Sequence, residues 1–187
     1  MPLECHHHHE RETLHGLVPP DCMLIRPCRP GEAMALLALF QSPVHGLAAR
    51  DYTPQQIEAW SPSQPDAAFC QAWVRRIEAN RPWVVETGGA LAAYADLQAS
   101  GLIDQFFVAA EWGGHGVGAA LMRHLLAQAR ARGMARLWAH VSLTAQPFFR
   151  RFGFVIEQEQ LPVVRGVALR NAVMGRLLAD ADADAAA

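Results

Sequence analysis

FVAAEWGGHGVGAAL, from Phe107 to Leu121, changes character halfway along. It opens as the end of an apolar strand and closes as the start of a helix. Between the two, Gly113, Gly114, Gly116 and Gly118 put four glycines in six positions. Glycine at that density weakens strand and helix alike, so it marks a place where backbone must come close to something. Unobstructed amides at a helix N-terminus make an anion site, and a pyrophosphate is the usual guest. Glycine content alone leaves a plain strand-to-helix turn as an equal reading. A third arises because Gly114 to Ala119 satisfies GxGxxA, the dinucleotide fingerprint. That fingerprint follows the first strand of a parallel sheet and is answered about 20 residues later by an acid. Here several strand candidates come first, and the next strand, Leu137 to Val141, carries His140 and no acid.

Working outward, Gly116 to Arg132 is the strongest helix, with Leu121, Met122, Leu125 and Ala129 on one face, Arg123, Arg130 and Arg132 away from it, and Gly133 as a stop. Upstream, Trp83 to Glu86, Ala90 to Leu97 and Leu102 to Val108 are strand candidates parted by Thr87-Gly88-Gly89 and Ser100-Gly101, an antiparallel meander. Leu137 to Val141 would lie beside Leu102 to Val108, which makes the long helix one βαβ crossover in a mixed sheet. Ala145 to Phe152 reads as a short helix, and Phe154 to Leu161 with Val167 to Leu178 as a closing hairpin. On the other side, Met23 to Arg26 is a strand, and Pro30-Gly31-Glu32 opens an apolar helix to about Phe40, followed by a polar stretch, Gln41 to Tyr52. Thr53-Pro54-Gln55-Gln56 is a capping box for a helix to Trp60, and Asp66 to Ala79 is a helix with Phe69, Trp73 and Ile77 at four-residue spacing.

The 187 residues suit one domain, expected over Met23 to Leu178, after a flexible arm at 1–22 and before a solvated tail at 179–187. Apolar residues are 51% and charged residues 18%, enough to bury a core, and a formal charge of -2 gives no field to draw in nucleic acid. All 16 basic residues are Arg, which excludes the P-loop lysine, a Schiff base and a Lys general base. Cys5, Cys22, Cys28 and Cys70 form no CxxC pair, so no metal site is expected, and they read as free thiols of a cytoplasmic protein. His6 to His9 read as a tag-like extension without the supporting shell of a working metal site. No apolar run reaches the roughly 18 residues of a membrane span.

At this point the chain resembles the GNAT superfamily of acyl-CoA-dependent N-acetyltransferases. Phe107 to Leu121 is similar to its pyrophosphate motif, Q/R-x-x-G-x-G/A after a strand, and AQPFFRRFGF, from Ala145 to Phe154, to its aromatic helix followed by Gly-Phe. DYTPQQIEAW, from Asp51 to Trp60, resembles a bacterial branch of that superfamily. The resemblance covers Met23 to Leu178. It implies an α/β fold of the α+β kind: a mixed, mostly antiparallel sheet of about six to seven strands flanked by helices. It further implies acetyl-CoA as co-substrate, held by Phe107, Val108, Gly113, Gly114, His115, Gly116, Val117, Gly118, Ala119, Ser142 and Phe149, and an amine of a small molecule or peptide as acceptor. A homodimer is left open. Two positions depart from the pattern. Gly113 stands where Gln or Arg is usual, and Phe149 stands where many members carry the Tyr that protonates the leaving thiolate.

The chemistry needs a neutral amine, stabilisation of a developing oxyanion, and a proton for the thiolate. The resemblance assigns the second to the backbone N–H of Val108. If strand alternation holds, Asp104 shares a face with Phe106 and Val108, which makes it the candidate base or a carboxylate bonded to a loop amide. His140 is acid or base, or a hydrogen-bonded structural group. Ser142 is a contact to the pantetheine arm or a helix cap, and Arg150 and Arg151 meet CoA phosphate or solvent. Tyr52, Tyr94 and Cys70 are the remaining candidates for a substitute acid. By the same resemblance the acceptor pocket lies between Pro43 to Trp60 and Gln160 to Gly166, with His45, Arg50, Asp51 and Arg165 as polar groups whose mixed charge names no substrate. The other readings are an inactive acyl-CoA-binding sensor, motivated by Gly113 and Phe149, and a dinucleotide oxidoreductase.

Overall fold

A computed structural model describes residues 22–178. The arm expected at 1–22, Cys22 apart, and the tail expected at 179–187 lie outside the described residues. The chain forms β1 (Met23–Pro27), α1 (Ala33–Gly46), α2 (Pro54–Trp60), α3 (Ala67–Asn80), β2 (Trp83–Thr87) and β3 (Ala90–Ala95). It continues through β4 (Leu102–Ile103), β5 (Phe106–Val108), α4 (Val117–Ala131), β6 (Arg136–Ser142), α5 (Gln146–Arg151), β7 (Val155–Gln160), β8 (Val163–Val164), β9 (Val167–Ala168) and β10 (Asn171–Leu177).

Two four-stranded sheets result, ordered β1-β2-β3-β5 and β4-β6-β10-β7, with β8 and β9 as a separate small hairpin. One passage of chain serves both sheets. Its first part, β4, pairs parallel with β6, and its second part, β5, pairs antiparallel with β3. The continuous strand expected over Leu102 to Val108 is therefore broken at Asp104-Gln105. Beyond the break β5 follows β3 while β6 follows β10, so β5 and β6 share no ladder and a wedge opens between them. The crossover through α4 joins the sole parallel pair among the described strands, as the mixed-sheet expectation requires. At Gly101, φ is +81° and a β-carbon would run into the Arg136 carbonyl, so only glycine lets β4 approach β6 at the root of the wedge.

α4 packs on β2 and β3, and α1 packs on β3 and β5 together with α3. The core accordingly has two parts. One gathers Leu121, Met122, Leu125, Leu137, Phe154 and Met174 around α4 and the second sheet. The other gathers Leu36, Phe40, Trp73, Ile77 and Tyr94 around α1 and α3. The caps read from sequence are present: Thr53 Oγ1 accepts from Gln56 N–H at 3.3 Å, Gln56 Oε1 accepts from Thr53 N–H at 2.9 Å, and Asp66 Oδ1 accepts from Phe69 N–H at 2.7 Å. Gln41 to Tyr52 is not a loop throughout, because α1 runs on through Pro43 to Gly46. Proline removes one N–H but keeps a helical φ, and burial of Phe40 and Val44 on the same face carries the helix past it.

Candidate active site

Two adjoining cavities, about 700 Å³ and about 470 Å³, occupy the wedge. Trp60, Asp104, Phe107, His140 and Ser142 line both and form the join. The larger is walled by Phe106, Val108, Gly113, Gly114, Gly116, Gly118, Ala119 and the aromatic helix α5, with Pro43, Val44, Leu47 and Ala48 of the region after α1's midpoint opposite.

Pairing fixes which amides face the wedge. Asp96 N–H donates to the Gln105 carbonyl at 3.1 Å and Ala109 N–H to the Ala92 carbonyl at 2.9 Å, which marks the hydrogen-bonded positions of β5 against β3. Alternation turns the amides of Phe106 and Val108 away from β3, toward the wedge. At α4 the first helical bond is Ala120 N–H to the Gly116 carbonyl, so the amides of Val117, Gly118 and Ala119 have no partner within the helix. Gly116 is in the left-handed region at φ +84°, and a β-carbon on Gly118 would lie 3.1 Å from Val108 Cγ2. His115 Nδ1 is buried without a partner in the same loop. Free amides, glycine where side chains would crowd, and an orphan ring nitrogen fit a pyrophosphate such as that of CoA.

Sequence-chosen residues are distributed unevenly over this site. Phe107, Val108, Gly113, Gly114, Gly116, Gly118, Ala119, Ser142 and Phe149 all line the larger cavity. Val117 is fully buried in the core and contributes backbone alone, and His115 turns its ring toward Trp112 at 6.0 Å between centroids. Arg151, not Arg150, lines the cavity, with its guanidinium 5.6 Å from the Phe148 ring centre. Arg123 and Trp112 line it too. The sequence pattern puts Arg123 on the polar face of α4, and its place in the second turn after the glycines is the signal for this position.

Asp104 lines both cavities, the larger one together with Phe106 and Val108, but its carboxylate is engaged. The break at Asp104-Gln105 brings it against α3. There Arg76 donates to both oxygens at 2.7 and 2.8 Å, and Asn80 Nδ2 donates at 2.7 Å. Burial opposes ionisation, but the Arg76 bonds and charge, with Asn80 and nearby His140, hold the carboxyl below its usual range. His140 sits on β6 with Nδ1 3.0 Å from Gln160 Oε1. This contact engages Nδ1, and among the described residues Nε2 has no hydrogen-bond partner. Ser142 Oγ accepts from Ala145 N–H at 3.3 Å, which caps the turn and leaves its own proton free.

The substitute acids resolve differently. Tyr52 donates to the Arg170 carbonyl at 2.5 Å and accepts from Leu143 N–H at 2.9 Å, so its proton is committed. Tyr94 is fully buried, which pushes its phenol well above the ordinary value, and neither it nor Cys70 lines a cavity. Phe149 is 3% exposed and packs its ring against Phe106, Phe148 and Phe154.

With one parallel pair in a mainly antiparallel sheet, the GxGxxA match lies in the wrong topological place for a dinucleotide site, which removes the oxidoreductase reading. A split sheet with free amides at the mouth of its wedge instead defines an acyl-CoA-dependent acyltransferase, and the family model for the GNAT acetyltransferase domain matches residues 48–170. The chain belongs to the GNAT N-acetyltransferases. It is 31% identical over 150 residues to the uncharacterised N-acetyltransferase YafP of Escherichia coli, covering 80% of this chain and 93% of the relative. Among solved structures, a GCN5-related N-acetyltransferase from Rhodopseudomonas palustris superposes with TM-score 0.77 at 28% identity, over 83% of this chain and 95% of that one. YncA from Salmonella typhimurium, solved with acetyl-CoA, superposes with TM-score 0.60 at 20% identity, over 84% and 94%. Among the described residues no helix is long and apolar enough to cross a membrane.

Proposed function

We propose that the protein moves an acetyl group from acetyl-CoA directly to a primary amine of a small molecule or peptide. The observation that carries this reading is the continuity of the wedge: an amide cradle on one side, an aromatic chamber on the other, and His140, Asp104 and Ser142 at the join. Acetyl-CoA supplies an activated acyl group. Val117 to Ala119 hold its pyrophosphate with backbone N–H groups, and Arg123 and Arg151 add charge along the same cavity. The Val108 N–H donates to the acyl oxygen as negative charge gathers there. His140 Nε2 takes the proton of the incoming amine, a choice supported by its having no partner among the described residues and by its place at the join. Asp104 positions: it lies close enough to His140 for their charges to interact and steadies the ring as it becomes positive. Phe149 has no proton to give, so the protic groups beside the leaving sulfur are Ser142 and the protonated His140.

Isothermal titration with acetyl-CoA, with NAD and NADP as controls, tests the first half, and thiol release across an amine panel tests the second. Binding of acetyl-CoA alone followed by turnover is expected. Tight binding without turnover on any amine would leave an acyl-CoA-binding domain in place of an enzyme. His140→Gln should lower kcat by about 100-fold or more while acetyl-CoA affinity stays, as loss of a general base does. An unchanged kcat would return His140 to a structural role.

A further inference from the structure

We propose that the acceptor is an amine whose aromatic or large apolar body carries a carboxylate, and that Arg165 reads the carboxylate. This rests on the acetyl-transfer reading above and names the substrate class of its second cavity. Of the four polar groups expected there, three turn elsewhere. His45 Nε2 meets the Ser61 carbonyl, Arg50 Nε donates to the Leu47 carbonyl, and Asp51 accepts from Thr144 Oγ1. None of the three lines the cavity. Once they are removed the charge is no longer mixed. The lining holds Arg76, Arg165 and Arg170 against one carboxylate, Asp104, which Arg76 already engages. The acid facing Arg170 is Glu159, 4.0 Å away with both side chains well exposed, a pairing that neutralises little.

Six aromatic side chains, Phe40, Tyr52, Trp60, Phe69, Trp73 and Phe107, form the largest part of the remaining wall, with aliphatic groups such as Val164 and Leu169 and the polar Asn171 beside them. It suits a flat or bulky apolar body, and about 470 Å³ accommodates one the size of an aromatic amino acid. Next to Asp104 in sequence, Gln105 is 3% exposed, lines the smaller cavity, and keeps its Oε1 buried without a partner. That oxygen is placed to accept an N–H of the entering amine.

Arg165 itself is held in an unusual way. Val164 pairs with Val167, so Arg165 and Gly166 form a two-residue turn, with φ +48° and +77°. Such a turn favours Asn-Gly, and a side chain like arginine in the left-handed region is strained. The strain places a guanidinium 4.8 Å from the Phe69 ring centre, donating to the Ala59 carbonyl. Its orientation is fixed by these two contacts, and its other N–H groups remain for a planar carboxylate.

The test compares L-phenylalanine, L-phenylalaninamide, 2-phenylethylamine and glycine as acceptors, in wild type and Arg165→Asn. Asparagine accepts the left-handed φ, so the hairpin should keep its shape and the melting midpoint should hold or rise. Thiol release gives kcat/KM, and quenching of Trp60 and Trp73 fluorescence gives binding without turnover. Phenylalanine should exceed its amide, its descarboxy amine and glycine at least tenfold. Arg165→Asn should cut the acid-to-amine ratio at least tenfold through KM, with acetyl-CoA affinity retained. Equal use of acid and amine, equal losses on every acceptor in Arg165→Asn, or neither quenching nor turnover in a protein that binds acetyl-CoA would overturn the assignment. Failure to bind acetyl-CoA would count against the transfer reading, while the fluorescence titration would still report the preference for the acid.

Discussion

Tyr52→Phe separates a strut from a catalyst. The Tyr52 hydroxyl bridges two distant loops, donating to the Arg170 carbonyl ahead of β10 and accepting from Leu143 N–H after β6, from a side chain that is 6% exposed. Removing one oxygen leaves a carbonyl and an amide unpaired, while the ring keeps its packing against Trp60 at 5.7 Å. Each lost bond is worth about 1 to 1.5 kcal/mol, so the variant should be less stable by about 2 to 3 kcal/mol. For a chain of this length that lowers the melting midpoint by roughly 5 to 10 °C. Urea unfolding, followed by tryptophan fluorescence, should show the midpoint falling with the slope unchanged. Since the proton is committed to Arg170, the alkaline side of the kcat against pH profile should keep its shape. A loss of stability under about 0.5 kcal/mol would refute the bridge. An alkaline limb that vanishes in the variant would make Tyr52 the acid that Phe149 is not.

Gly116→Trp should abolish acetyl-CoA binding in calorimetry, because an indole there fills the cradle; φ of +84° adds strain of about 1 to 2 kcal/mol, so the fold should survive with a lower midpoint. Retained affinity would move the pyrophosphate elsewhere. Glu32 accepts from Arg26 at 2.6 and 2.9 Å and from Arg29 N–H at 2.7 Å, and the Arg26 bonds hold its pKa down at about 2 against an ordinary 4.5. A depressed carboxyl stabilises fully above its ordinary pKa and loses that contribution as pH falls toward the folded value. Acid titration of stability should therefore drop between about pH 4.5 and 2, and Glu32→Gln should flatten that limb while costing about 2 kcal/mol at neutral pH. An acid limb that is the same in both proteins would refute the pairing.

The glycine-lined part of the cleft was legible because it is made of local backbone. The glycines from Gly113 to Gly118 fall within a single turn of chain, so their spacing is visible directly, and the caps at Thr53 and Asp66 are equally local. The smaller cavity converges from side chains as far apart as Phe40 and Arg170, and no local pattern tells which of several polar residues turns inward. His45, Arg50 and Asp51 looked equivalent to Arg165 for that reason. The end of α1 hid another part of the wall: Gln41 to Tyr52 reads as a polar stretch, and tertiary burial of Val44 carries the helix on through Pro43.

At Asp104 the break in alternation and the cleft have one origin. Where β4 gives way to β5 its carboxylate gains Arg76 and Asn80 as partners while the residue still lines both cavities. The same break creates the wedge, since only a chain that leaves one sheet and joins the other can let β5 and β6 part. A polar knot holds the break open. Asp96, fully buried, accepts from the Asp104 amide at 2.9 Å and from Asn80 Nδ2 at 2.9 Å, while Asn80 and Arg76 hold the Asp104 carboxylate. Burial raises the Asp96 pKa and the Arg76 bonds help lower that of Asp104, so two carboxyls eight positions apart are pushed in opposite directions. A buried network of this kind fixes geometry more than it adds stability. On the proposed mechanism Asp104 serves the reaction by keeping the cleft in shape, and the proton passes through the imidazole of His140.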